Sequence, residues 1–280
     1  MSIQAAMLPD GKRLHLQHGP IDLIIGADGE PAEVRRAYMA ARARFDTVLA
    51  RLCEELATLR TEMPEQGLPL EGPVALRMAC AVQPHWQQRV TPMAAVAGAV
   101  ADEILQAMLK AASLRRAYVN NGGDIALHLG VREQFSIASA NGLVTVEAGD
   151  GVGGIATSGR HGRSHSLGIA DSVTVVARTG AAADVAATLI ANAVDLPGSQ
   201  KVNRMPACEL SPDSDLRDRL VTVDVAPLDE GETAVALARG LAVAREFQQR
   251  GLIIAATLGL NDRVERVDPV TLIDRKPAHA

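Results

Sequence analysis

An isolated carboxylate with a hydroxyl one helical turn away is the sharpest chemical signal in the sequence. Between Arg178 and Asp195 the only charged side chain is Asp184, in a run of small and apolar residues. In a helix, Asp184 and Thr188 occupy positions i and i+4 and share one face. A carboxylate and a hydroxyl, completed by backbone, water or phosphate oxygens, would suit Mg²⁺. The alternative is an aspartate stabilised by the positive end of a helix dipole.

A second candidate is the polar segment Ala156–Ser166, which contains two arginines, two histidines and four hydroxyl side chains. Arg160 and Arg163, beside permissive glycine backbone, could bind phosphate oxygens through charge and hydrogen bonds. A histidine in this segment could act as a general base, because imidazole titrates near neutral pH. The alternative is a polar surface loop whose side chains do not converge.

Two glycine-rich segments are the remaining candidates. The segment Asn120–Asp124 permits positive φ and a close approach of its backbone to a ligand, and a plain hairpin turn explains it equally well. The segment Gly149–Gly154 superficially resembles a dinucleotide-binding loop, but a strand pattern follows it where a helix would be needed. We therefore interpret Gly149–Gly154 as a flexible turn.

The elements that must position these residues are helices and short strands. Residues 13–25 predict a β-hairpin, and Pro31 opens an apolar pattern that predicts one long helix over 31–62. A core helix is the favoured interpretation, with a helical dimer seam as the alternative because the spacing is close to heptad. Further helices are predicted after Thr91-Pro92 and at 182–194 and 231–249, and further strands at 117–119, 125–129, 134–138, 143–147, 154–157, 172–177 and 252–255. Successive short strands favour an α+β fold of antiparallel sheets with packed helices.

Composition excludes several classes of protein. The chain has 280 residues, 48% hydrophobic and 22% charged, which is typical of a globular protein. A net charge of −5 argues against nucleic acid as a partner, and no apolar run reaches the roughly 18–20 residues of a membrane span. We expect no membrane partner and, because the start shows no secretory signal, a cytoplasmic location. We also expect a single domain over residues 1–280, with two lobes joined near 64–75 as the alternative.

Four motifs follow one another in a recognisable order. They are Asn-x-Gly-Gly-Asp, then Ala-Thr-Ser-Gly, then a histidine before a Ser-Val-Thr-Val strand, then Ala-Asp-x-x-x-Thr. In this order they resemble the ApbE superfamily, the FAD:protein FMN transferases, over residues 78–195. The chain looks most like an uncharacterised branch of that superfamily.

The resemblance implies an ApbE-like fold and an enzyme that binds FAD with Mg²⁺, splits the pyrophosphate and attaches FMN to a threonine or serine of an acceptor protein. It implies that Asp184 and Thr188 bind the metal and that His165 deprotonates the acceptor hydroxyl. Arg160 and Arg163 would assist with the phosphate charge. The residues that it places at the cofactor are Asn120, Gly122, Gly123, Asp124, Thr157, Ser158 and Gly159.

Two alternatives from other classes stay open. The residues after His165 differ from the superfamily's Asp-Pro-x-Thr-Gly turn, which favours a non-catalytic cofactor-binding module. The other is an enzyme of one-carbon or pterin-cofactor metabolism that acts on another phosphorylated small molecule. The expected partners are a phosphorylated ligand, an acceptor protein and, through the long helix, a second copy of the chain in a homodimer.

Overall fold

The structure is a computed structural model that describes residues 3–139 and 142–267. It divides into two compact units, each built from several segments of the chain. Of the described residues, unit 1 comprises those within 3–135, 146–156 and 177–185, and unit 2 comprises those within 136–139, 142–145, 157–176 and 186–267.

The helices and strands alternate along the chain. Within residues 3–139 and 142–267 the strands are β1 (Gln4–Met7), β2 (Leu14–His18), β3 (Ile21–Asp28), β4 (Arg116–Asn121), β5 (Asp124–Leu129), β6 (Gln134–Ser139), β7 (Gly142–Glu147), β8 (Gly154–Ser158), β9 (Ser172–Ala177), β10 (Val202–Pro206), β11 (Leu220–Val225), β12 (Ala255–Leu260) and β13 (Arg263–Val267). The α-helices there are α1 (Pro31–Phe45), α2 (Val48–Glu54), α3 (Leu56–Leu59), α4 (Pro73–Val82), α5 (Val96–Ala111), α6 (Gly180–Ala193), α7 (Ala207–Leu210) and α8 (Glu230–Gln249). β8 and α6 begin in unit 1 and end in unit 2.

Unit 1 is built on an antiparallel sheet with the strand order β1-β2-β3-β4-β5-β8. β2 and β3 form the predicted hairpin, with Leu14 opposite Ile25 and His18 opposite Ile21. Alternate residues of these strands are buried because strand side chains point in turn to opposite faces. α5 packs against β4 and β5, and also against α1 and α4. The α+β fold of antiparallel strands and packed helices is therefore confirmed.

The prediction of one long helix over 31–62 is wrong. The helix is interrupted by a turn at residues 46–47, and the backbone leaves the helical region at Glu55 (φ −107°, ψ 8°), which separates α1, α2 and α3. The Glu55 carboxylate accepts backbone N–H bonds from Glu71 (2.7 Å) and Gly72 (3.0 Å), at the start of α4. The apolar face is nevertheless buried, at Ala37, Ala41, Phe45, Val48, Leu52 and Leu59. These residues lie in the core, and a homodimer stays a prediction.

The start of α6 lies against backbone atoms. A Cβ at Gly98 of α5 would lie 2.2 Å from the Gly180 carbonyl oxygen, so the two helices approach this closely only because residue 98 has no side chain. A Cβ at Gly154 would lie 2.3 Å from the Gly180 nitrogen. The predicted flexible turn, Gly149–Gly154, has positive φ at Gly149 and Gly151. Its last residue, Gly154, lies in the close contact with Gly180.

Unit 2 contains the antiparallel strands β9, β12 and β13, and α8 packs against β12 and β13. α8 begins with a capping box formed by Asp229 and Glu232. It ends in a Schellman motif, in which Gly251 has a φ of 70° and the Leu252 N–H donates to the Phe247 carbonyl (2.9 Å). The predicted final strand over 252–255 is wrong because this motif uses its first residues. The strand runs over β12 instead, and β13 follows it.

Among the described residues, Pro92–Ala111 is long and apolar enough to cross a membrane by length and composition alone. The segment is 56% buried within the structure, and its α5 part packs against two helices and two strands. This is the environment of a core helix. The cytoplasmic location stays a prediction.

We expect Gly98→Ala to lower the free energy of unfolding by about 1–3 kcal/mol or more, because no side-chain rotation can relieve a clash with a backbone carbonyl. Urea denaturation followed by circular dichroism measures this loss. Gly231→Ala in α8 is the matched control, since its new Cβ would meet only the Asp229 Oδ1 atom at 3.2 Å. Equal stability of Gly98→Ala and wild type would contradict the close approach of α5 and α6.

Glu103 on α5 joins two neighbouring helices through Arg44 of α1 (2.7 Å) and Arg77 of α4 (2.8 Å). Burial raises the pKa of Glu103, but the hydrogen bonds from the two arginines outweigh burial and hold the pKa below its ordinary value. A carboxyl group of this kind stabilises the fold above its unfolded-state pKa. That contribution is lost as the pH falls through the folded-state pKa.

We therefore expect Glu103→Gln to lower the free energy of unfolding by about 1–3 kcal/mol at neutral pH. The deficit should shrink as the pH falls below the ordinary glutamate pKa of about 4.3. Urea denaturation at neutral and acid pH measures both effects. Glu65→Gln, at an exposed loop position, is the control. A deficit that does not change with pH would show that the two ion pairs are not its source.

Candidate functional site

Within unit 1, the N-terminus of α5 and the N-terminus of α6 each bind a carboxylate from the other helix. Asp102 on α5 accepts backbone N–H bonds from Gly180 (2.8 Å) and Ala181 (2.9 Å), the first residues of α6. Asp184 on α6 accepts the backbone N–H of Gly98 (3.0 Å), in the first turn of α5. Each carboxylate satisfies N–H groups that lack a partner inside their own helix. Asp184 therefore does contact a helix N-terminus, but that of the neighbouring helix.

Asp184 occupies an unfavourable place for a negative charge. Burial raises the pKa of Asp184 well above its ordinary value, the charge of Asp124 raises it further, and the N–H bond from Gly98 only partly opposes them. Burial also raises the pKa of Asp102, against the opposing effect of its two backbone N–H bonds. A bound cation would relieve both the desolvation and the repulsion between the carboxylates.

The predicted segment Asn120–Asp124 is the turn of the β4–β5 hairpin. Gly122 and Gly123 have φ of 66° and 118°, as a type I′ turn requires, and both are exposed. The Asn120 Oδ1 atom accepts the Gly123 N–H (2.8 Å). Asn121, which no motif singled out, donates from Nδ2 to the carbonyl of Ala97 (3.1 Å). This bond ties the turn to the start of α5.

Asp124 and Asp184, two predicted site residues of unit 1, are close enough for the charge of Asp124 to raise the pKa of Asp184. Across the described ranges 3–139 and 142–267, no group of three or more histidine, cysteine, aspartate or glutamate side chains could hold a metal ion. Two carboxylates completed by water, backbone or phosphate oxygens would still suit Mg²⁺, which commonly keeps several such ligands. Thr188 lies one helical turn beyond Asp184, in the part of α6 that belongs to unit 2.

In unit 2, Thr157 and Ser158 of the predicted Thr-Ser-Gly loop are the last residues of β8, and Gly159 follows the strand. The Thr157 and Thr174 hydroxyl oxygens lie 2.9 Å apart, while Thr157 is exposed and Ser158 half-buried. Gly159 has a φ of 156°, and a Cβ there would lie 2.4 Å from the Asp171 carbonyl oxygen. Glycine is therefore needed for the chain to turn at this point.

Asp171 contacts two basic residues of the loop after β8, Arg160 and His161. Its carboxylate accepts bonds from Arg160 Nε (2.9 Å) and from the backbone N–H of Asn261 (2.6 Å), and His161 Nε2 lies 3.3 Å away. The charge of Arg160 is thus already balanced by a carboxylate. Arg163 is exposed, so it is the arginine of the loop that faces solvent.

His165 is held beside a hydroxyl that no sequence motif singled out. Its Nε2 atom lies 3.1 Å from the Oγ atom of Ser211, and 46 residues separate the two. The next residues are anchored to α6, because the Leu167 N–H donates to the Oδ1 atom of Asn192 (2.9 Å). The chain on the C-terminal side of His165 therefore has a fixed path.

Asp102 is a second carboxylate at these helix starts, and the sequence reasoning missed it. The signal that singled out Asp184, a carboxylate in an apolar helix, is also present at Asp102 in α5. Asp102 was not recognised because Glu103 stands beside it, so that it is not an isolated charge. The N–H groups that it binds also lie far along the chain, in α6.

The chain is similar to a protein family, to curated relatives and to solved structures. A protein-family model described as AbpE bacteria matches residues 5–266. A UPF0280 protein of Methanothrix thermoacetophila is 32% identical over 192 residues, covering 66% of this chain and 78% of the relative. A UPF0280 protein of Methanopyrus kandleri is 33% identical over 183 residues, covering 61% and 69%. Among solved structures, a flavin transferase ApbE from Vibrio cholerae is similar with a TM-score of 0.44 and 13% identity, over 91% of this chain and 97% of that chain.

We expect Asp171→Asn to expose the loop to trypsin at Arg160 and Arg163. Loss of the carboxylate charge removes about 1–2 kcal/mol of local stability, and cleavage that tracks the open population should then accelerate about fivefold or more. Limited proteolysis followed by mass spectrometry measures the rate at each arginine. Asp213→Asn, at an exposed position, is the control. Unchanged cleavage in Asp171→Asn would mean that Asp171 does not hold the loop.

Proposed function

The chain belongs to the AbpE bacteria family, and from this premise we propose that it is a flavin-related enzyme that, with Mg²⁺, transfers FMN from FAD to a protein hydroxyl. The four motifs that resemble the ApbE superfamily all lie inside the matched residues 5–266. The substrates are accordingly FAD, a phosphorylated small molecule, and a threonine or serine of an acceptor protein.

The observation that carries this proposal is the half-buried Asp184 carboxylate, which accepts the Gly98 N–H at the start of α5 and feels the charge of Asp124. The burial of Asp184 and the neighbouring charge of Asp124 both disfavour its ionised form in the absence of a cation. Carboxylate oxygens are the ligands that Mg²⁺ prefers, and the pyrophosphate oxygens of FAD would supply others. Thr188, one helical turn along α6 from Asp184, is the hydroxyl that the resemblance assigns to the metal. Mg²⁺ bound there would neutralise charge on the pyrophosphate and on the AMP that leaves.

The resemblance assigns two further segments to the cofactor. The first turn contains Gly122 and Gly123, and the second begins at the end of β8. At Gly122 and Gly123 the exposed backbone has no side chains, so a flat flavin ring could approach it closely. Asn120 is already bonded to Gly123 and keeps the shape of this turn. The donors of the second turn, Thr157, Ser158 and the backbone of Gly159, would bind phosphate oxygens.

Arg160 and Arg163, in the second turn, are proposed to contribute differently to phosphate binding. Arg160 is paired with Asp171 and holds the loop in shape, so its contribution to phosphate binding is reduced. Arg163, which faces solvent, supplies positive charge. His165 takes the proton of the acceptor hydroxyl through Nε2, the atom that already lies near a serine oxygen.

A non-catalytic cofactor-binding protein is the second candidate, and one observation favours it. The pairing of Arg160 with Asp171 leaves the basic loop with less free positive charge than its sequence suggests. A protein of this kind would bind FAD through the same turns without splitting the pyrophosphate.

The test is to incubate the purified protein with FAD and MgCl₂ and to separate AMP and FMN by chromatography. We expect Mg²⁺-dependent AMP release that falls about 100-fold or more in Asp184→Asn, because that variant lacks the proposed ligand carboxylate. Asp46→Asn, an exposed aspartate at the end of α1, is the control and should keep the wild-type rate. A wild-type rate in Asp184→Asn would contradict the metal assignment, and flavin binding without AMP release would establish the binding protein.

A further inference from the structure

The hydrogen-bonded pair of His165 and Ser211 in unit 2 has the composition of a base and a nucleophile. The Nε2 and Oγ atoms are 3.1 Å apart, and both residues are partly buried. An imidazole at this distance can accept the serine proton as the oxygen attacks an electrophile. We propose that Ser211 is an acceptor hydroxyl within the chain, so that the protein attaches FMN to itself. This inference rests on the proposed FMN transfer.

The backbone on both sides of the pair is fixed. The Ser166 carbonyl, next to His165, accepts the Thr222 N–H (2.8 Å). The Ser211 N–H donates to the Ala207 carbonyl (2.9 Å), and the Ser211 carbonyl accepts the Ser214 N–H (2.9 Å). Neither side chain depends on a long mobile stretch for its position. The two reacting groups are therefore positioned before any substrate binds.

Two other hydroxyls of unit 2 lack such a partner in the bonds that they make. Ser214, three residues from Ser211, uses its Oγ atom to accept the Leu216 N–H (3.3 Å). Thr157, in the predicted cofactor loop, shares its hydrogen bond with the hydroxyl of Thr174. In neither bond is a histidine placed to take the proton. The geometry therefore selects Ser211 within its own loop and provides Ser214 as a matched comparison.

The transfer step balances without any additional reactant. The Ser211 hydroxyl proton passes to His165 Nε2, and Oγ forms a bond to the FMN phosphorus of FAD. The bond from that phosphorus to the bridging oxygen breaks, and AMP leaves with the bridging oxygen and its electron pair. The product is a phosphoester between FMN and Ser211, and the imidazolium returns its proton to solvent. No atom is oxidised or reduced.

The experiment uses the full chain with FAD and MgCl₂ and no other protein. After denaturation, intact mass spectrometry and peptide mapping locate covalent FMN, and chromatography measures AMP in the same samples. We expect FMN on the peptide that contains Ser211, in amounts equal to the AMP released in the adduct-forming phase. Ser211→Ala should lose this adduct and Ser211→Thr should keep it. Ser214→Ala should keep it at the wild-type level, and His165→Asn should slow its formation about 100-fold or more.

The contrary outcomes are distinguishable from a failure of the proposed function. AMP release without a covalent adduct, or with an adduct on another residue, would overturn the role of Ser211 and leave FMN transfer standing. Adduct formation by His165→Asn at the wild-type rate would overturn the base–nucleophile pair. The absence of both AMP and adduct would overturn the proposed function and this inference together. Thermal unfolding of each variant separates loss of the hydroxyl from loss of the fold.

Discussion

The candidate site depends on an exchange of hydrogen bonds between α5 and α6, in which the start of each helix donates N–H groups to a carboxylate on the other. Because Gly98 and Gly180 have no side chains, the two helix starts come close enough for each to donate N–H groups to a carboxylate on the other. The exchange is reciprocal, so a change at one helix start removes a partner from the other. It also fixes Asp184 where burial and Asp124 disfavour its charge. A position that is unfavourable for an ionised carboxylate without a cation is favourable for a carboxylate that binds one.

The sequence was sufficient where the determining interactions are local. The alternating pattern of residues 13–25 revealed a hairpin because the period of two is a property of each strand by itself. The Asn-Gly-Gly-Asp turn was recognisable because positive φ is required at its own glycines. Asp184 was recognisable because it is the single charge in an apolar segment. In each case the residues that carry the signal are also the residues that form the structure.

The sequence was insufficient where the partner lies far along the chain. Glu55 lies at a break between two helices, and its carboxylate accepts N–H groups from residues 71 and 72, which no local periodicity can show. The charge of Arg160 was counted as free, although Asp171 neutralises it after an intervening loop. Ser211 had no motif at all, and only its distance from His165 makes it notable. Donor-rich composition therefore measures what a loop could bind, and the folded contacts determine how much of that capacity remains.

The backbone contacts at the start of α6 also have a mechanical consequence. Where side chains separate two elements, rotamer changes absorb small displacements, but carbonyl oxygens and amide nitrogens in direct contact have no such freedom. Gly98, Gly154 and Gly180 bring backbone against backbone within unit 1. A rotation or slide of the first turn of α6 would therefore meet steric repulsion between backbone atoms, which no rotamer change can relieve. The backbone that carries Asp184 thus has little room to shift, whether the protein is heated or binds a ligand.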